Sequence, residues 1–322
     1  MKPFVARATC FISAGIVAFI ALDATAKVFA SDAGNIDAMP SPLDDLVTLL
    51  DLELIEVNIF RGQSPMENRQ RIYGGQVAGQ ALVAASRTID ESDRHVHSFH
   101  AYFLRPGAPG VPVVYEVDRI RDGKSFSTRR VVAIQNGKPI FNLHASFQKH
   151  EEGLEYQIEM ATDTPGPETL PDFHTRMAPY KEKLGEWYDR PRPIDQRYVD
   201  GDPMTRANNP LPGQRVWFRA DGTLPNDEVL HACIVTYASD SSLLDTALLP
   251  HGRGWMDGTV QMASLDHAMW FHRRFRADEW LLYQQKSIST SGSRGLAEGH
   301  IFTRDGRLAV TVVQEGLTRL MK

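Results

Sequence analysis

The stretch that decides the fold reads Tyr237-Ala238-Ser239-Asp240 and runs on into Ser241-Ser242-Leu243-Leu244-Asp245-Thr246-Ala247-Leu248-Leu249. This pattern predicts that one element ends here and that a short apolar helix follows, with Asp240 as its N-cap and Pro250 and Gly252 as its stop. A capping carboxylate accepts backbone N–H bonds and lies at the positive end of a helix dipole. We therefore expect Asp240 to be ionised at neutral pH and fixed in position, although a purely structural cap has the same pattern.

A similar pattern occurs earlier in the chain and indicates an internal duplication. Tyr73-Gly74-Gly75-Gln76 aligns with residues 237–240 and brings two buried helices into register. Residues 98–103 then fall against 265–271, and the Asn136-Gly137 turn falls against Asp305-Gly306. Each half reads as one helix followed by a long strand and three further strands. The sequence therefore predicts an α+β fold of two units, each an antiparallel sheet wrapped around a central helix.

Changes in composition mark the domain boundaries. Residues 1–38 contain a basic start and an apolar run too short to span a membrane comfortably, which indicates a secretory signal or a translation start placed upstream of Met39. We assign residues 39–150 to the N-terminal unit and 214–322 to the C-terminal unit. Residues 151–213 are rich in proline and predict an irregular linker with one short helix near 180–187.

The composition excludes several classes of protein. A formal net charge of −5 leaves no broad basic surface for a nucleic acid. The two cysteines, Cys10 and Cys233, cannot form a disulfide framework or a Cys-rich metal site. No phosphate loop, dinucleotide fingerprint, nucleophile elbow or His-Glu-x-x-His motif occurs. Neighbouring strand residues point to opposite faces, so we expect His267, next to Asp266, to be structural. The sequence predicts no metal ion and no cofactor.

Several long motifs, in a fixed order, resemble the acyl-CoA thioesterase II family. They are Arg61-Gly62-Gln63-Ser64, Tyr73-Gly74-Gly75-Gln76-Val77-Ala78-Gly79-Gln80-Ala81, residues 97–107 and 133–141, Tyr237-Ala238-Ser239-Asp240, Asp266-His267-Ala268-Met269-Trp270-Phe271-His272 and Val313-Gln314-Glu315-Gly316. The resemblance extends from about Leu46 to the C-terminus. It implies two fused hotdog domains, in agreement with the duplication. It also implies an enzyme that hydrolyses fatty acyl-CoA to the free fatty acid and CoA.

The resemblance further implies three catalytic residues, Asp240, Ser264 and Gln314, which orient a water molecule for attack on the thioester. A carboxylate supplies a base or an orienting charge, while a hydroxyl and an amide fix the other hydrogen bonds of the water. The departing thiol has a reference pKa of about 8.5, so a strong general acid is dispensable. Ser264 stands where the family has Thr or Ser. Gln314 lies on an otherwise apolar strand face, so a structural role for its amide stays open.

Contacts with the substrate are predicted from three further residues. Gly74 and Gly75 begin the other central helix and are candidates to donate backbone N–H groups to the oxyanion. His100, in a strand rich in aromatic residues, is a candidate substrate contact, with a core or interface histidine as the alternative interpretation. Five arginines could meet the CoA phosphates or be solvated charges, and the sequence does not choose between these roles: Arg69, Arg71, Arg105, Arg129 and Arg130.

Two other functions fit the same expected fold. A hotdog hydratase or dehydratase would also act on acyl-CoA, and an acyl-CoA-binding module would bind it without turnover. The presence of Asp240, Ser264 and Gln314 together favours hydrolysis. We expect acyl-CoA as the partner, a homo-oligomer formed through exposed sheet edges, and no stable membrane span in the mature chain. A CoA thioester substrate predicts a cytoplasmic location, whereas residues 1–38 suggest export.

Overall fold

The computed structural model describes residues 40–66, 70–91, 93–202, 209–254 and 258–321. The signal-like segment 1–38, with Cys10, lies outside these residues, as do the alternative start Met39 and the candidate cation Arg69. Within the described ranges, none of the helices has the length and apolar character that crossing a membrane requires.

The secondary structure alternates short helices with long strands. The helices are α1 (Pro42–Leu50), α2 (Gly74–Ser86), α3 (Phe173–Met177), α4 (Lys181–Leu184), α5 (Glu186–Asp189), α6 (Glu228–Ser239) and α7 (Leu243–Thr246). The strands are β1 (Glu53–Glu56), β2 (Ile59–Gly62), β3 (Arg94–Phe103), β4 (Val113–Asp122), β5 (Phe126–Gln135), β6 (Lys138–Lys149), β7 (Ile194–Tyr198), β8 (Gly213–Ala220), β9 (Val260–Ser264), β10 (Asp266–Phe271), β11 (Leu281–Ser291), β12 (Arg294–Thr303) and β13 (Leu308–Leu320).

All of these strands join one continuous 13-stranded sheet. Its order is β1-β2-β4-β5-β6-β3-β10-β13-β12-β11-β8-β7, and β9 pairs with β13 off this path. The two halves meet where β3 and β10 run antiparallel, with Phe99 opposite Met269 and Ala101 opposite His267. Each half keeps the predicted order, because α2 precedes β3 to β6 and α6 precedes β10 to β13. The duplicated helix-and-sheet fold is confirmed.

The two central helices, α2 and α6, pack against each other and against the sheet, so that almost every residue of both is buried. Small side chains allow this close approach. A Cβ atom at Gly75 would lie 2.3 Å from the backbone oxygen of Tyr237, and one at Gly79 would lie 3.3 Å from the backbone oxygen of Cys233. Gly75 therefore has no room for a side chain, and Gly79 has little, where the two helices pack.

The predicted alignment of the two Tyr motifs is wrong. Tyr73 is the N-cap of α2, whereas Tyr237 lies in the last turn of α6, so the motifs occupy opposite ends of the central helices. Asp240 is the C-cap of α6, and the next helix begins only at Leu243. The true N-cap of the second central helix is Asp227, whose carboxylate accepts the backbone N–H groups of residues 229 and 230. A four-residue similarity could not distinguish the start of a buried helix from its end.

The linker has more regular structure than the sequence predicts. Instead of one short helix near 180–187, it contains α3, α4 and α5, which enclose a small core of Phe173, Met177 and Leu184. Strand β7 also lies within residues 151–213, and it extends the second half of the sheet by pairing with β8. This strand was missed because its five residues, which follow Pro191 and Pro193, are too few to show alternation.

Candidate functional site

The end of α6 and the start of α2 meet at Asp240. The Tyr73 hydroxyl donates to the backbone oxygen of Tyr237 at 2.7 Å, and this bond joins the two helix ends. The Gly75 backbone N–H donates to the Asp240 carboxylate. The carboxylate therefore lies at the positive end of the α2 dipole, whereas the sequence predicts the dipole of the following helix. A helix terminus does hold Asp240, but it belongs to the other half of the molecule.

The structure brings Asp240, Ser264 and Gln314 together from α6, β9 and β13. The Gln314 Nε2 donates to Asp240 Oδ1 at 2.7 Å and to Ser264 Oγ at 3.1 Å. The Ser264 hydroxyl donates to the same Asp240 oxygen at 3.5 Å, which is the long limit of a hydrogen bond. Gln314 is fully buried on the apolar face that the sequence predicts. Its Oε1 has no hydrogen-bond partner among the described residues, so it can accept one more donor.

Burial raises the pKa of Asp240 to about 6. The hydrogen bonds from Gln314, Gly75 and Ser264 and the charge of Arg71 oppose this rise, because each favours the ionised form. The residue is half-buried, since two cavities reach it, although its carboxyl group lies deep. A carboxyl group with such a pKa is ionised at neutral pH and still basic enough to take a proton from water. The expected ionisation therefore holds, but the site raises the pKa, as active sites often do.

Replacing Asp240 by Asn is expected to stabilise the fold at pH 8 by up to about 3 kcal/mol, the free energy that separates a pKa of about 6 from the ordinary 3.8. Between these two values the folded chain binds more protons than the unfolded chain, so parent stability falls as the pH rises through this window. The gain in the mutant should be smaller at pH 5, where the folded carboxyl group is largely protonated. Urea unfolding at both pH values measures it, and an equal gain at both would contradict the shifted pKa.

Two cavities open onto Asp240 and Ser264 from different sides. The first cavity, of about 400 Å³, is enclosed largely by apolar side chains: Ile72, Val77, Phe103, Leu104, Ile140 and Phe141. The second cavity, of about 560 Å³, is bounded partly by the linker through Phe173, Arg176, Trp187, Arg192 and Tyr198. The Arg192 guanidinium lies 3.3 Å from the centre of the Phe173 ring. Arg71 borders both cavities and donates to the Met262 backbone oxygen at 2.8 Å.

The site predicted from the sequence did not include the linker side chains that border the second cavity. The available signal was the concentration of aromatic and arginine residues between 173 and 198. Aromatic residues are uncommon in an unstructured connection.

The two glycines predicted as oxyanion donors lie beside the cluster, but only one of them has a backbone N–H group that is not already bonded to a described residue of the protein. The Gly75 N–H is bonded to Asp240, which removes it from that role. Gly74 is the first residue of α2, and its N–H makes no hydrogen bond within the described part of the chain. A Cβ atom at Gly74 would lie 2.7 Å from Asp240 Oδ2, so a larger residue would push the carboxylate away.

His100 does not lie at this site. Strand alternation buries Phe99 and Ala101 against the core and leaves His100 exposed on the other face of the sheet, with its ring edge-on to Trp270 at 5.1 Å. It borders neither cavity at Asp240. His267 is structural, as expected, since its Nε2 bonds the Ser239 hydroxyl at 2.9 Å and burial lowers its pKa to about 3.

Of the candidate arginines that the structure describes, two are bonded away from the cavities and two border the first cavity. Arg129 is fully buried and bonded to Thr88 and Asp122, and Arg130 pairs with Asp118 at 3.4 Å. Arg71 and Arg105 border the first cavity.

Across the described ranges, no cluster of His, Cys, Asp and Glu has the geometry to hold a metal ion.

Sequence and structure comparisons agree with this architecture. A family profile described as "Acyl-CoA thioesterase" matches residues 194–317, and one described as "Acyl-CoA thioesterase N-terminal domain" matches residues 63–148. The chain is similar to acyl-coenzyme A thioesterase 8 of Homo sapiens, with 42% identity over 287 residues that cover 85% of this chain and 89% of the human protein. It is also similar to acyl-CoA thioesterase 2 of Haemophilus influenzae, with 38% identity over 291 residues that cover 87% of this chain and 99% of that protein.

A solved structure extends the likeness to the fold. The crystal structure of acyl-CoA thioesterase II TesB2 from Mycobacterium marinum superposes with a TM-score of 0.72 at 45% identity, covering 86% of this chain and 99% of that one. Two helix-and-sheet units that share one sheet define a double-hotdog thioesterase, an enzyme of the thioester hydrolase class. The chain belongs to the acyl-CoA thioesterase family, which confirms the resemblance found in its motifs.

Proposed function

We propose that the protein hydrolyses fatty acyl-CoA to the free fatty acid and CoA, with Asp240, Ser264 and Gln314 holding and activating the attacking water. One observation carries this proposal. The three side chains form a single hydrogen-bonded cluster at the point where the two cavities meet. A thioester lying across that point would present its carbonyl carbon to a water bound by the cluster.

The arrangement assigns a task to each group. Ionised Asp240 takes a proton from the water as its oxygen bonds to the carbonyl carbon, and Ser264 and Gln314 hold the water and the carboxylate in place. The free Oε1 of Gln314 is an acceptor for the second hydrogen of the water. The Gly74 N–H, at the start of α2, is the donor for the oxyanion. When the intermediate collapses, the C–S bond breaks, and the CoA thiolate leaves with the proton that Asp240 took from the water, which returns Asp240 to its ionised form.

The two cavities divide the substrate between them. The first cavity is enclosed mostly by Ile, Val, Leu and Phe side chains, which suit an alkyl chain because its burial removes apolar surface from water. The second cavity carries hydroxyl, amide and guanidinium groups beside its aromatic walls, as at Tyr198, Gln196 and Arg176. These groups suit the amides of the pantetheine arm. We therefore place the acyl chain in the first cavity and the arm of CoA in the second.

The value of kcat/KM for acyl-CoA is expected to fall about tenfold for each pH unit below about 6, because burial raises the pKa of Asp240 to about 6 and only the ionised form acts as the base. Above that pH the rate should reach a plateau. Thiol release measured from pH 4.5 to 8.5, with circular dichroism to show that the fold persists, tests this expectation. A rate that stays constant down to pH 4.5 would exclude Asp240 as a base with this pKa.

We also propose that the enzyme acts in the cytoplasm as a homo-oligomer. The CoA thioester substrate supports the location, and intact-mass analysis of the native protein tests it, because a chain cut after Ala26 or Ala30 would contradict it.

An exposed edge strand supports assembly, since Leu54 and Ile55 of β1 are 50% and 48% exposed. Light scattering of the purified chain tests assembly, and a monomeric mass at micromolar concentration would contradict it.

A further inference from the structure

A third cavity, of about 1070 Å³, lies at one end of the second half of the sheet. It is bounded by the β11–β12 turn, the end of β13, the start of β9 and the turn that follows α7. Four basic side chains line it, and we call it the basic groove: His251, Arg253, Arg294 and Arg319. Hydroxyl groups stand between them, among them those of Thr290, Ser293 and Thr318.

The charge of the basic groove is unusual for this chain. The formal net charge of the protein is −5, yet no described residue lining the groove carries a carboxylate. Arg294 has a carboxylate partner just outside, in Glu315 at 2.9 Å. The backbone of Arg319 pairs with β9, but its side chain is exposed and makes no hydrogen bond or ion pair with any described residue. Guanidinium groups gathered with hydroxyl donors, in a lining whose described residues include no Asp or Glu, form a surface that suits phosphate groups.

The basic groove adjoins the second cavity. Val260 borders both, and from there β9 runs to Ser264 at the cluster. The opposite wall runs the same way, because Leu244 borders the second cavity, while Leu248 and His251 border the groove. Two walls of the molecule therefore lead from the cluster to the basic groove.

The length of this path agrees with the chemistry of CoA. Four residue steps along β9, from Val260 to Ser264, span about 13 Å in a strand. The pantetheine arm of CoA separates the sulfur from the first phosphate by a chain comparable to four or five extended residues, about 15 Å. A thioester held at Ser264 would therefore bring the phosphates of CoA to the start of β9, where the basic groove begins.

We propose that the basic groove binds the 3′-phosphorylated ADP portion of CoA, with Arg253 and Arg319 meeting its phosphates. This inference rests on the proposed hydrolysis of acyl-CoA, and it gives a binding site to the part of the substrate that the cluster does not touch. Leu320 and Met321, 64% and 58% exposed beside these arginines, offer apolar surface to the adenine ring. The groove contributes binding energy far from the reacting carbonyl, so it acts on substrate affinity.

The test compares an acyl-CoA with the matching acyl-pantetheine, which lacks the nucleotide and its phosphates. Replacing Arg319 by Ala is expected to raise KM for acyl-CoA about tenfold, as for one lost charge-assisted hydrogen bond, and Arg253→Ala together with Arg319→Ala should raise it further. The value of kcat for acyl-CoA and both constants for acyl-pantetheine should stay at parent values. Arg307→Ala is the matched control. Arg307 lies in the turn at the other end of the β12–β13 pair, where its side chain is 55% exposed.

A direct titration separates this inference from the proposed reaction. Adenosine 3′-phosphate 5′-diphosphate should bind the parent and the Arg307→Ala variant, and it should bind Arg319→Ala at least about tenfold more weakly. Parent-like KM values in the Arg319 variants would overturn the groove assignment while leaving hydrolysis intact, as would equal losses on both thioesters. If the parent released no thiol from either substrate, the proposed function would fail. The titration alone would then decide the groove, and no difference between the parent and Arg319→Ala would overturn it.

Discussion

Replacing Asp240 by Asn is expected to lower kcat for acyl-CoA hydrolysis by about three orders of magnitude, within the range that a general base contributes. Asn has the shape of Asp and can still accept the Gln314 hydrogen bond, but it cannot take a proton from water. The value of KM should change little, because Asp240 acts on the water and the cavities bind the substrate. Thiol release from a panel of acyl-CoAs measures both constants.

A matched control isolates the role of the carboxylate. Asp118→Asn makes the same chemical change on β4, where the side chain is 64% exposed and pairs only loosely with Arg130. This variant should keep the parent rate. The Asp240→Asn variant should be at least as stable as the parent at pH 8, so its loss of activity cannot be unfolding. Full activity in Asp240→Asn would remove the proposed mechanism.

Replacing Gln314 by Leu is expected to lower kcat about a hundredfold and to move the acid limb of the pH–rate profile to higher pH. Leu is similar in size but offers no donor to Asp240 or Ser264. The Gln314 hydrogen bond is the largest of the interactions that lower the pKa of Asp240, so its loss leaves burial less opposed and the pKa higher. The pH dependence of kcat/KM measures this shift, which a purely structural role for Gln314 would not produce.

A buried glutamine elsewhere provides the control for this second change. Gln214 is 4% exposed, its Nε2 bonds Thr246, Gln285 and the Ser242 backbone oxygen, and none of these groups is among those that shift the pKa of Asp240. Gln214→Leu should lower stability, because it leaves polar partners buried and unpaired, but the acid limb should stay where the parent has it. An unchanged acid limb in Gln314→Leu, together with a parent kcat, would reduce Gln314 to a structural residue.

The periodic elements could be predicted from the sequence, and the assembly of the site could not. The buried helices and long strands appear as patterns within single segments, and the Asn136-Gly137 turn has a sequence signature. By contrast, Asp240, Ser264 and Gln314 lie on three elements that only the folded sheet brings together. Their selection depended on family motifs. The α2 dipole at Asp240 comes from helix packing across the two halves, which no local pattern encodes.

The duplication of the fold does not extend to the polar cluster. The C-cap of α6 is Asp240, whereas the C-cap of α2 is Arg87, which pairs with Asp51. Gln314 follows Gly306 in the last strand of its half, and the position at the same distance after Gly137 is Ala145. The two halves keep the same fold because small and apolar residues repeat, while the polar residues that form the cluster occur in the second half.

The central claim is that Asp240 activates water and does not itself attack the thioester. It is tested most directly by a single turnover of a fatty acyl-CoA in ¹⁸O-labelled water with enzyme in excess. Mass spectrometry then locates the label in the fatty acid and in the peptide that contains Asp240. We predict that the fatty acid from this first turnover carries one ¹⁸O atom and that the peptide carries none. An unlabelled fatty acid with ¹⁸O in the Asp240 peptide would show covalent attack by the carboxylate and would contradict the account.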